Sequence, residues 1–272
     1  MLYILFALAV LSAIGTHVLF GWYTSWIFIP VFIGVLLAWI LIWELIWWGF
    51  VAILALFVDK KKEVTKVSKL YRWAFVETIQ ICLFIVNAHV HIEGAEKIPK
   101  DQRFLVVANH LSNYDPMSIL HALKKHTIMF ISKPENFNIP LVGRIMHKTG
   151  FMPIDRDHVK NAIVTINKAA DYIKNDETSV FIFPEGTRNR TEAPLLEFKN
   201  GAFKIATKAG CPLVIIAISG TEKVKKRIPR RSDIYLKVVD VIPAEKVKEM
   251  RTGDLSDYAY KMIEENITHG KE

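Results

Sequence analysis

The chain has 272 residues, of which 51% are hydrophobic and 23% charged, and its formal net charge is +8. That length accommodates one sizeable α/β domain with additional segments. The positive charge does not indicate nucleic-acid binding, because neither an aromatic and basic platform nor a DNA-reading motif accompanies it. The two cysteines, Cys82 and Cys211, lack the spacing of a metal site or a disulfide framework, which agrees with a domain that faces the cytosol.

The first 58 residues have the composition of membrane helices. His17 and Glu44 are the only His, Asp, Glu, Lys or Arg side chains among them. Residues 2–20 would form about 28 Å of helix, which matches the hydrocarbon core of a bilayer, and a second apolar run covers residues 27–58. A signal peptide is the alternative, but a basic n-region and an A-x-A cleavage site are missing. We therefore predict a membrane-embedded helical hairpin over residues 1–58.

The segments that flank the second run predict its orientation. Between the two runs, Trp22, Tyr23 and Trp26 are typical of an interfacial aromatic belt on a short turn. Six basic residues follow the second run, namely Lys60, Lys61, Lys62, Lys66, Lys69 and Arg72. By the positive-inside bias this flank is cytoplasmic, and it would also be attracted to an anionic lipid surface. A hairpin that enters only one leaflet remains an alternative, because the turn between the two runs carries no charge.

The basic juxtamembrane segment, residues 59–89, ends in a mostly apolar stretch, residues 74–88. It contains three strongly polar residues, Glu77, Gln80 and Asn87. A third span is therefore not expected, and we predict a helix that lies on the membrane or covers the following domain.

From residue 90 onward, short apolar runs alternate with helical intervals. Strands are predicted at residues 90–93, 104–108, 127–132, 151–154, 179–183, 213–218 and 234–241. Helices are predicted at residues 117–123, 141–148, 158–174, 201–209 and 244–266. This alternation is typical of an α/β fold with a mostly parallel sheet flanked by helices. We assign residues 90–272 to one catalytic domain.

The turn at residues 109–116 follows the second predicted strand and carries a histidine and a carboxylate. Histidine, with an unperturbed pKa of about 6.5, suits a general base near neutral pH. Asp115 lies five residues after His110 and can fold back across the turn to hold the imidazole in one tautomer. For an isolated H-x-x-x-x-D, the alternative is a polar turn with a hydrogen-bonded histidine.

Charged residues follow three other predicted strands. Lys133 follows the third and Arg156 the fourth, and the fifth is followed by Glu185, Gly186, Thr187 and Arg188. Because the carboxyl ends of parallel strands share one edge of a sheet, these residues and His110 could converge on one crevice. Guanidinium and ammonium groups suit a phosphate, and a glycine lets the backbone approach a ligand closely. Ordinary surface ion pairing, with Asp157 or Glu192, is the alternative for the arginines.

Four blocks in this order resemble the glycerophospholipid acyltransferases, most closely the 1-acyl-glycerol-3-phosphate (lysophosphatidate) acyltransferase group. They are NHLSNYDP, GFMPIDR, FPEGTRNR and CPLVIIAISGT, at residues 109–116, 150–156, 183–190 and 211–221. The resemblance runs from about residue 90 to residue 241 and also includes Lys133 and the segment FKNGAFKIA.

The resemblance implies an enzyme that transfers a fatty acyl group from a thioester, acyl-CoA or acyl-carrier protein, to the 2-hydroxyl of lysophosphatidate. His110 would be the general base and Asp115 its partner. The acceptor and its phosphate would be bound by Lys133, Arg156, Glu185, Gly186, Thr187 and Arg188. No cofactor is expected beyond the thioester co-substrate. Direct attack by the acceptor hydroxyl fits a chain without a G-x-S-x-G motif.

Three other functions stay open at this point. The same chemistry could act on glycerol-3-phosphate or on another lysophospholipid. The chain could instead be a non-catalytic membrane protein that binds lipids, although such a protein has no use for a base. A membrane-tethered hydrolase would release free fatty acid from the thioester without an acceptor.

Overall fold

A computed structural model describes residues 1–22, 28–64, 66–155 and 158–267 of the chain. Their contacts define two compact units, one of Met1–Asp59 and one that begins at Lys60. Tyr23 and Trp26 of the predicted aromatic belt lie outside the described residues, as does Arg156 of the predicted phosphate site.

The first unit is a pair of helices, α1 (Leu2–Phe20) and α2 (Phe28–Leu56). Both helices are long and apolar enough to cross a membrane. The ring of Phe28 packs against His17 near the end of α1, whereas Trp43 Nε1, further along α2, donates to Ser12 Oγ. The two helices are therefore antiparallel, and their composition indicates an association with the membrane.

The second unit alternates strands and helices. Its strands are β1 (Ala88–Glu93), β2 (Leu105–Ala108), β3 (Ile128–Ser132), β4 (Met152–Pro153), β5 (Ser179–Ile182), β6 (Leu213–Ser219) and β7 (Ser232–Ile242). Its helices are α3 (Lys69–Ile85), α4 (Asp115–Ala122), α5 (Val142–Lys148), α6 (Val159–Lys174), α7 (Lys204–Ala209), α8 (Thr221–Arg227), α9 (Ala244–Glu249) and α10 (Thr252–Asn266). Short 3-10 helices cover Ala95–Lys97, Pro134–Asn138 and Asn200–Phe203.

In the described part of the chain, the seven strands form one sheet in the order β1-β7-β6-β2-β5-β3-β4. The five strands from β6 to β4 in this order are mutually parallel, and β7 is antiparallel to β6. The predicted α/β fold with a mostly parallel sheet is confirmed. The carboxyl ends of β6, β2, β5, β3 and β4 consequently share one edge of the sheet, as the sequence analysis expects.

Several elements differ from the sequence prediction. The helix α4 begins at Asp115, two residues earlier than predicted, because Pro116 is well suited to the first helical turn. The predicted helix over residues 244–266 is divided into α9 and α10, with extended backbone at Met250 and Arg251. There the backbone N–H of Arg251 donates to Asp254, which starts a new helix. The short helix α8 was not predicted, because its basic residues resemble a solvated surface run.

The helix α3, predicted either to lie on a membrane or to cover the domain, packs against α4, α5 and β1. Tyr71, Ala74 and Ile81 are among its buried residues. This packing fits the prediction that the helix covers the domain, with the apolar face of α3 against the sheet.

The strand β2 is the central strand of the seven-stranded sheet and delivers the turn that contains His110. All four of its residues are fully buried, because helices cover both faces of a parallel sheet. Asn109 follows directly and is also fully buried. Its Nδ2 donates to the carbonyl of Ile218 at 2.9 Å, and its Oδ1 accepts from the Ile218 N–H at 2.8 Å. Asn109 thus joins the end of β2 to β6.

We expect Asn109→Ala to lower the free energy of unfolding by about 2–4 kcal/mol, because two buried backbone groups of Ile218 lose their partner. Denaturant or thermal unfolding of the detergent-purified protein measures this loss. Asn138→Ala, at an exposed position, is the matched control. An equal effect of the two substitutions would contradict the bridging role of Asn109.

Candidate active site

The turn after β2 closes on itself through a histidine–carboxylate contact. His110 Nδ1 lies 2.7 Å from Asp115 Oδ2. The same oxygen accepts from the backbone N–H groups of Leu111 at 2.6 Å and Ser112 at 2.8 Å. The Asp115 side chain is fully buried, whereas that of His110 is 16% exposed. The imidazole is therefore accessible, but the carboxylate that orients it is not.

Local sequence explains why this turn forms. Asp115 occupies the first turn of α4, where the helix dipole favours a negative charge. Ser112 Oγ accepts the backbone N–H of Tyr114 at 3.0 Å, which stabilises the turn and agrees with a structural role for this serine.

Thr221 is a contact of Asp115 that the sequence analysis did not identify. Its Oγ1 donates to Asp115 Oδ1 at 2.5 Å, and its exposed fraction is 1%. Thr221 is the first residue of α8 and follows β6 through Gly220, whose φ is +90°. The sequence gives only a partial indication of this contact, because Thr221 is the last residue of the fourth sequence block. Its approach to Asp115 depends on β6 lying next to β2.

The ring of Phe183 forms a second support for the histidine. Phe183 directly follows β5, the other neighbour of β2. Its ring stacks on the His110 imidazole, with centroids 3.9 Å apart and planes inclined by 11°. The stack restricts rotation of the imidazole, and the face of an aromatic ring favours a positively charged imidazolium.

Glu185 lies beneath the histidine turn, not at its surface. Its exposed fraction is 3%, its Oε1 accepts the His110 N–H at 2.6 Å, and its Oε2 accepts the Leu196 N–H at 3.1 Å. Burial raises the pKa of Glu185 to about 7, the two backbone N–H groups oppose this shift, and the charge of Asp115 adds to it. In this arrangement the carboxyl group holds the backbone of the turn, and its predicted contact with the acceptor stays a prediction.

The loop after Glu185 brings a cation to the histidine turn. An Arg188 guanidinium nitrogen, Nη1, donates to Asn113 Oδ1 at 2.9 Å, and the next residue, Asn189, donates its backbone N–H to the His110 carbonyl at 2.7 Å. Gly186 has a φ of +72°, and a Cβ there would lie 3.1 Å from Lys199 Cε. Lys199 is thus a further cation near this loop, which the sequence analysis placed only within a resembling segment. Thr187 is exposed.

Lys133 is further from the histidine. It follows β3, which is separated from β2 by β5, so about 10 Å of sheet lies between the two strands. Its ammonium group lies 3.2 Å from Glu135. The structure thus brings His110, Asp115 and Arg188 into one connected group, and it places Lys133 on the same sheet edge without a contact to them.

Metal-ligand clusters and a nucleophilic cysteine are two other features that an active site can contain. Within the described ranges, no group of three or more His, Cys, Asp or Glu residues is arranged to hold a metal ion. Cys211 is buried near the amino end of β6, and burial raises the pKa of its thiol to about 12. Because the thiolate is the reactive form, Cys211 is unsuited to be a nucleophile.

A parallel sheet with a histidine–carboxylate pair at its carboxyl edge, preceded by two apolar helices, defines the class as a membrane-associated α/β enzyme. The Acyltransferase family model matches residues 89–219, which include all the predicted site residues. The chain is 31% identical over 176 residues to the 1-acyl-sn-glycerol-3-phosphate acyltransferase of Haemophilus influenzae, a match that covers 63% of this chain and 72% of that protein. The chain belongs to the acyltransferase family.

Two further proteins are similar to this chain. The 1-acyl-sn-glycerol-3-phosphate acyltransferase of Salmonella typhimurium is 31% identical over 165 residues, which span 61% of this chain and 62% of that protein. The crystal structure of the 1-acyl-sn-glycerophosphate (LPA) acyltransferase from Thermotoga maritima superposes with a TM-score of 0.62 at 26% identity. That match covers 81% of this chain and 86% of the Thermotoga chain. The resemblance to the glycerophospholipid acyltransferases is confirmed.

The raised pKa of Glu185 predicts a pH-dependent stability. A glutamate with an ordinary pKa of 4.5 that titrates near 7 when folded binds its proton more tightly in the native state. Its contribution is fully present below about pH 4.5 and is lost as the pH rises through 7, by about 3 kcal/mol in all. The free energy of unfolding of wild type relative to Glu185→Gln should therefore decrease over this range, as measured by denaturant unfolding at several pH values.

Glu192→Gln is the control for this measurement, because Glu192 is exposed in the same loop region. Its stability relative to wild type should change little between these pH values. A difference between wild type and Glu185→Gln that stays constant with pH would contradict the proton uptake by Glu185.

Proposed function

We propose that this protein transfers a fatty acyl group from a thioester of CoA or of acyl-carrier protein to the 2-hydroxyl of lysophosphatidate, giving phosphatidate. The observation that carries the proposal is the 2.7 Å contact between His110 Nδ1 and the buried Asp115 carboxylate, with Arg188 held beside the same turn. The names of the Haemophilus and Salmonella relatives support this choice of acceptor.

The proposed chemistry follows from the orientation of the imidazole. Because Nδ1–H donates to Asp115, Nε2 is the nitrogen that can take a proton. Nε2 removes the proton of the acceptor hydroxyl as its oxygen attacks the thioester carbonyl carbon. The tetrahedral intermediate then expels the thiolate, which receives the proton from the imidazolium. Asp115 stabilises the imidazolium between the two steps, and a positioned base of this kind contributes about 100- to 10,000-fold in rate.

The basic side chains near the His110 turn would hold the acceptor through its phosphate group. A phosphate monoester carries a charge of about −1.5 to −2 near neutral pH. Arg188 can bind such a group through two N–H donors while its other contact, to Asn113, keeps it beside the His110 turn. Lys133 and Arg156 complete the proposed phosphate site, and Lys199 near Gly186 adds positive charge to it.

The two apolar helices fit a reaction whose acceptor and product are lipids. Moving an acyl chain fully into water costs about 0.8 kcal/mol per CH₂ group, so an enzyme at the bilayer surface avoids a large penalty. The basic residues that follow α2 favour a catalytic domain on the cytoplasmic face. Soluble thioester donors would reach the site from that side.

The proposal is tested with detergent-purified protein, a radiolabelled acyl thioester and a panel of acceptors. Lysophosphatidate should yield phosphatidate, and His110→Ala should reduce the rate by at least about 100-fold, because the base is lost. His89→Ala, an exposed histidine on β1, should retain the activity. Preference for glycerol-3-phosphate would overturn the choice of acceptor, free fatty acid without acceptor would indicate a hydrolase, and no product would indicate a binding protein.

The role of Arg188 has its own test. We expect Arg188→Ala to raise the KM for lysophosphatidate by about tenfold or more, because a charged hydrogen bond to phosphate is lost. Arg190→Ala, exposed two residues along the same loop, is the matched control. With a monoacylglycerol acceptor, which has no phosphate, Arg188→Ala and wild type should differ little. A KM for lysophosphatidate that is unchanged in Arg188→Ala would contradict the phosphate contact.

A further inference from the structure

We propose that Thr221 is a positioning residue of the transfer reaction: its hydroxyl group fixes the orientation of the Asp115 carboxylate and, through it, the tautomer of His110. This inference rests on the function proposed above, in which Asp115 orients the base. It assigns a role to the first residue of α8, outside the turn that carries the histidine.

The distribution of donors around Asp115 carries the argument. Oδ2 accepts from His110 Nδ1 and from two backbone N–H groups. Oδ1, on the other side of the carboxylate, accepts from Thr221 Oγ1. Both Asp115 and Thr221 are almost completely buried, so water does not compete for these positions. A buried carboxylate oxygen without a donor is unfavourable, and the threonine hydroxyl removes that cost.

The hydroxyl also fixes the plane of the carboxylate relative to the histidine. A carboxylate can rotate about its terminal bond, whose energy profile is broad. The Thr221 donor occupies Oδ1 and therefore keeps Oδ2 directed towards His110 Nδ1. With Nδ1 protonated in this contact, Nε2 retains the lone pair that the reaction needs.

The backbone around Thr221 is held rigidly enough to perform this function. Gly220, directly before it, has a φ of +90°, and a Cβ at this position would lie 2.4 Å from the carbonyl oxygen of Asp233. The end of β6 is also paired with β7, where Ser219 is opposite Tyr235. The close approach to β7 fixes the point at which α8 begins, and hence the position of the Thr221 hydroxyl.

Loss of the hydroxyl should affect the chemical step and not the binding of the acceptor. A hydrogen bond to a charged group of this kind corresponds to a decrease of about 10- to 100-fold in kcat for Thr221→Val. The KM for lysophosphatidate should change by less than about twofold, because the proposed phosphate ligands are untouched.

The experiment compares wild type with Thr221→Val, Thr221→Ser and Thr178→Val. Thr221→Ser retains the hydroxyl and should recover kcat to within about threefold of wild type, since the hydrogen bond is kept. Thr178 is a fully buried threonine at the amino end of β5, whose hydroxyl donates to the Thr127 carbonyl. Thr178→Val makes the same chemical change at the opposite edge of the sheet and should leave kcat unchanged. If Thr221→Val does not fold, Thr221→Ala takes its place.

A second readout is independent of the substrate. In ¹⁵N-histidine-labelled protein, NMR reports the tautomer of His110, with His110→Ala used to assign its signals. Wild type should show the Nδ1-protonated form, and Thr221→Val a mixture of tautomers. If wild type forms no phosphatidate, the proposed function fails while this readout still decides the role of Thr221. An unchanged tautomer in Thr221→Val, a kcat of Thr221→Val equal to that of wild type, or an equal loss of kcat in Thr221→Ser would each overturn the inference.

Discussion

The active site depends on one buried carboxylate. Asp115 has no solvent contact, and among the described residues its oxygens accept from the His110 ring, from two N–H groups of its own turn and from Thr221. An ionised group without water must receive its stabilisation from such donors. Because these donors come from the β2 turn and from the start of α8, the carboxylate requires β2 and β6 to be neighbours. Sheet topology is therefore a condition for orienting the His110 imidazole.

A second buried acid, Glu185, lies close to the first and has a different environment. It receives backbone N–H groups from His110 and Leu196, and burial raises its pKa to about 7. Asp115 thus acts on the imidazole of His110, whereas Glu185 acts on its backbone N–H. The ring of Phe183 supports the imidazole on its face. Together these contacts hold the histidine at Nδ1, at one face of its ring and at its backbone N–H.

The two membrane-associated helices are joined by hydrogen bonds between side chains. Polar groups in an apolar pair of helices need partners within the pair, because lipid provides none. In the first unit Trp39 Nε1 donates to Thr16 Oγ1 and Trp43 Nε1 to Ser12 Oγ. These bonds join α1 to α2. The same sequence stretch therefore combines an apolar exterior with a specific contact between helices.

The α/β class, the two apolar helices and the histidine–carboxylate turn can be predicted from the sequence alone. Each of these is a local property: alternating apolar runs, uninterrupted hydrophobicity, and two residues five positions apart. Three other features depend on the packed fold: Glu185 turns inward, Lys133 follows a strand that is two positions from β2, and Thr221 completes the Asp115 site. Those outcomes depend on the strand order β6-β2-β5-β3, which brings together residues more than 70 positions apart in sequence. Spacing along a chain carries no information about that order, because strand neighbours are selected by the packing of the whole sheet.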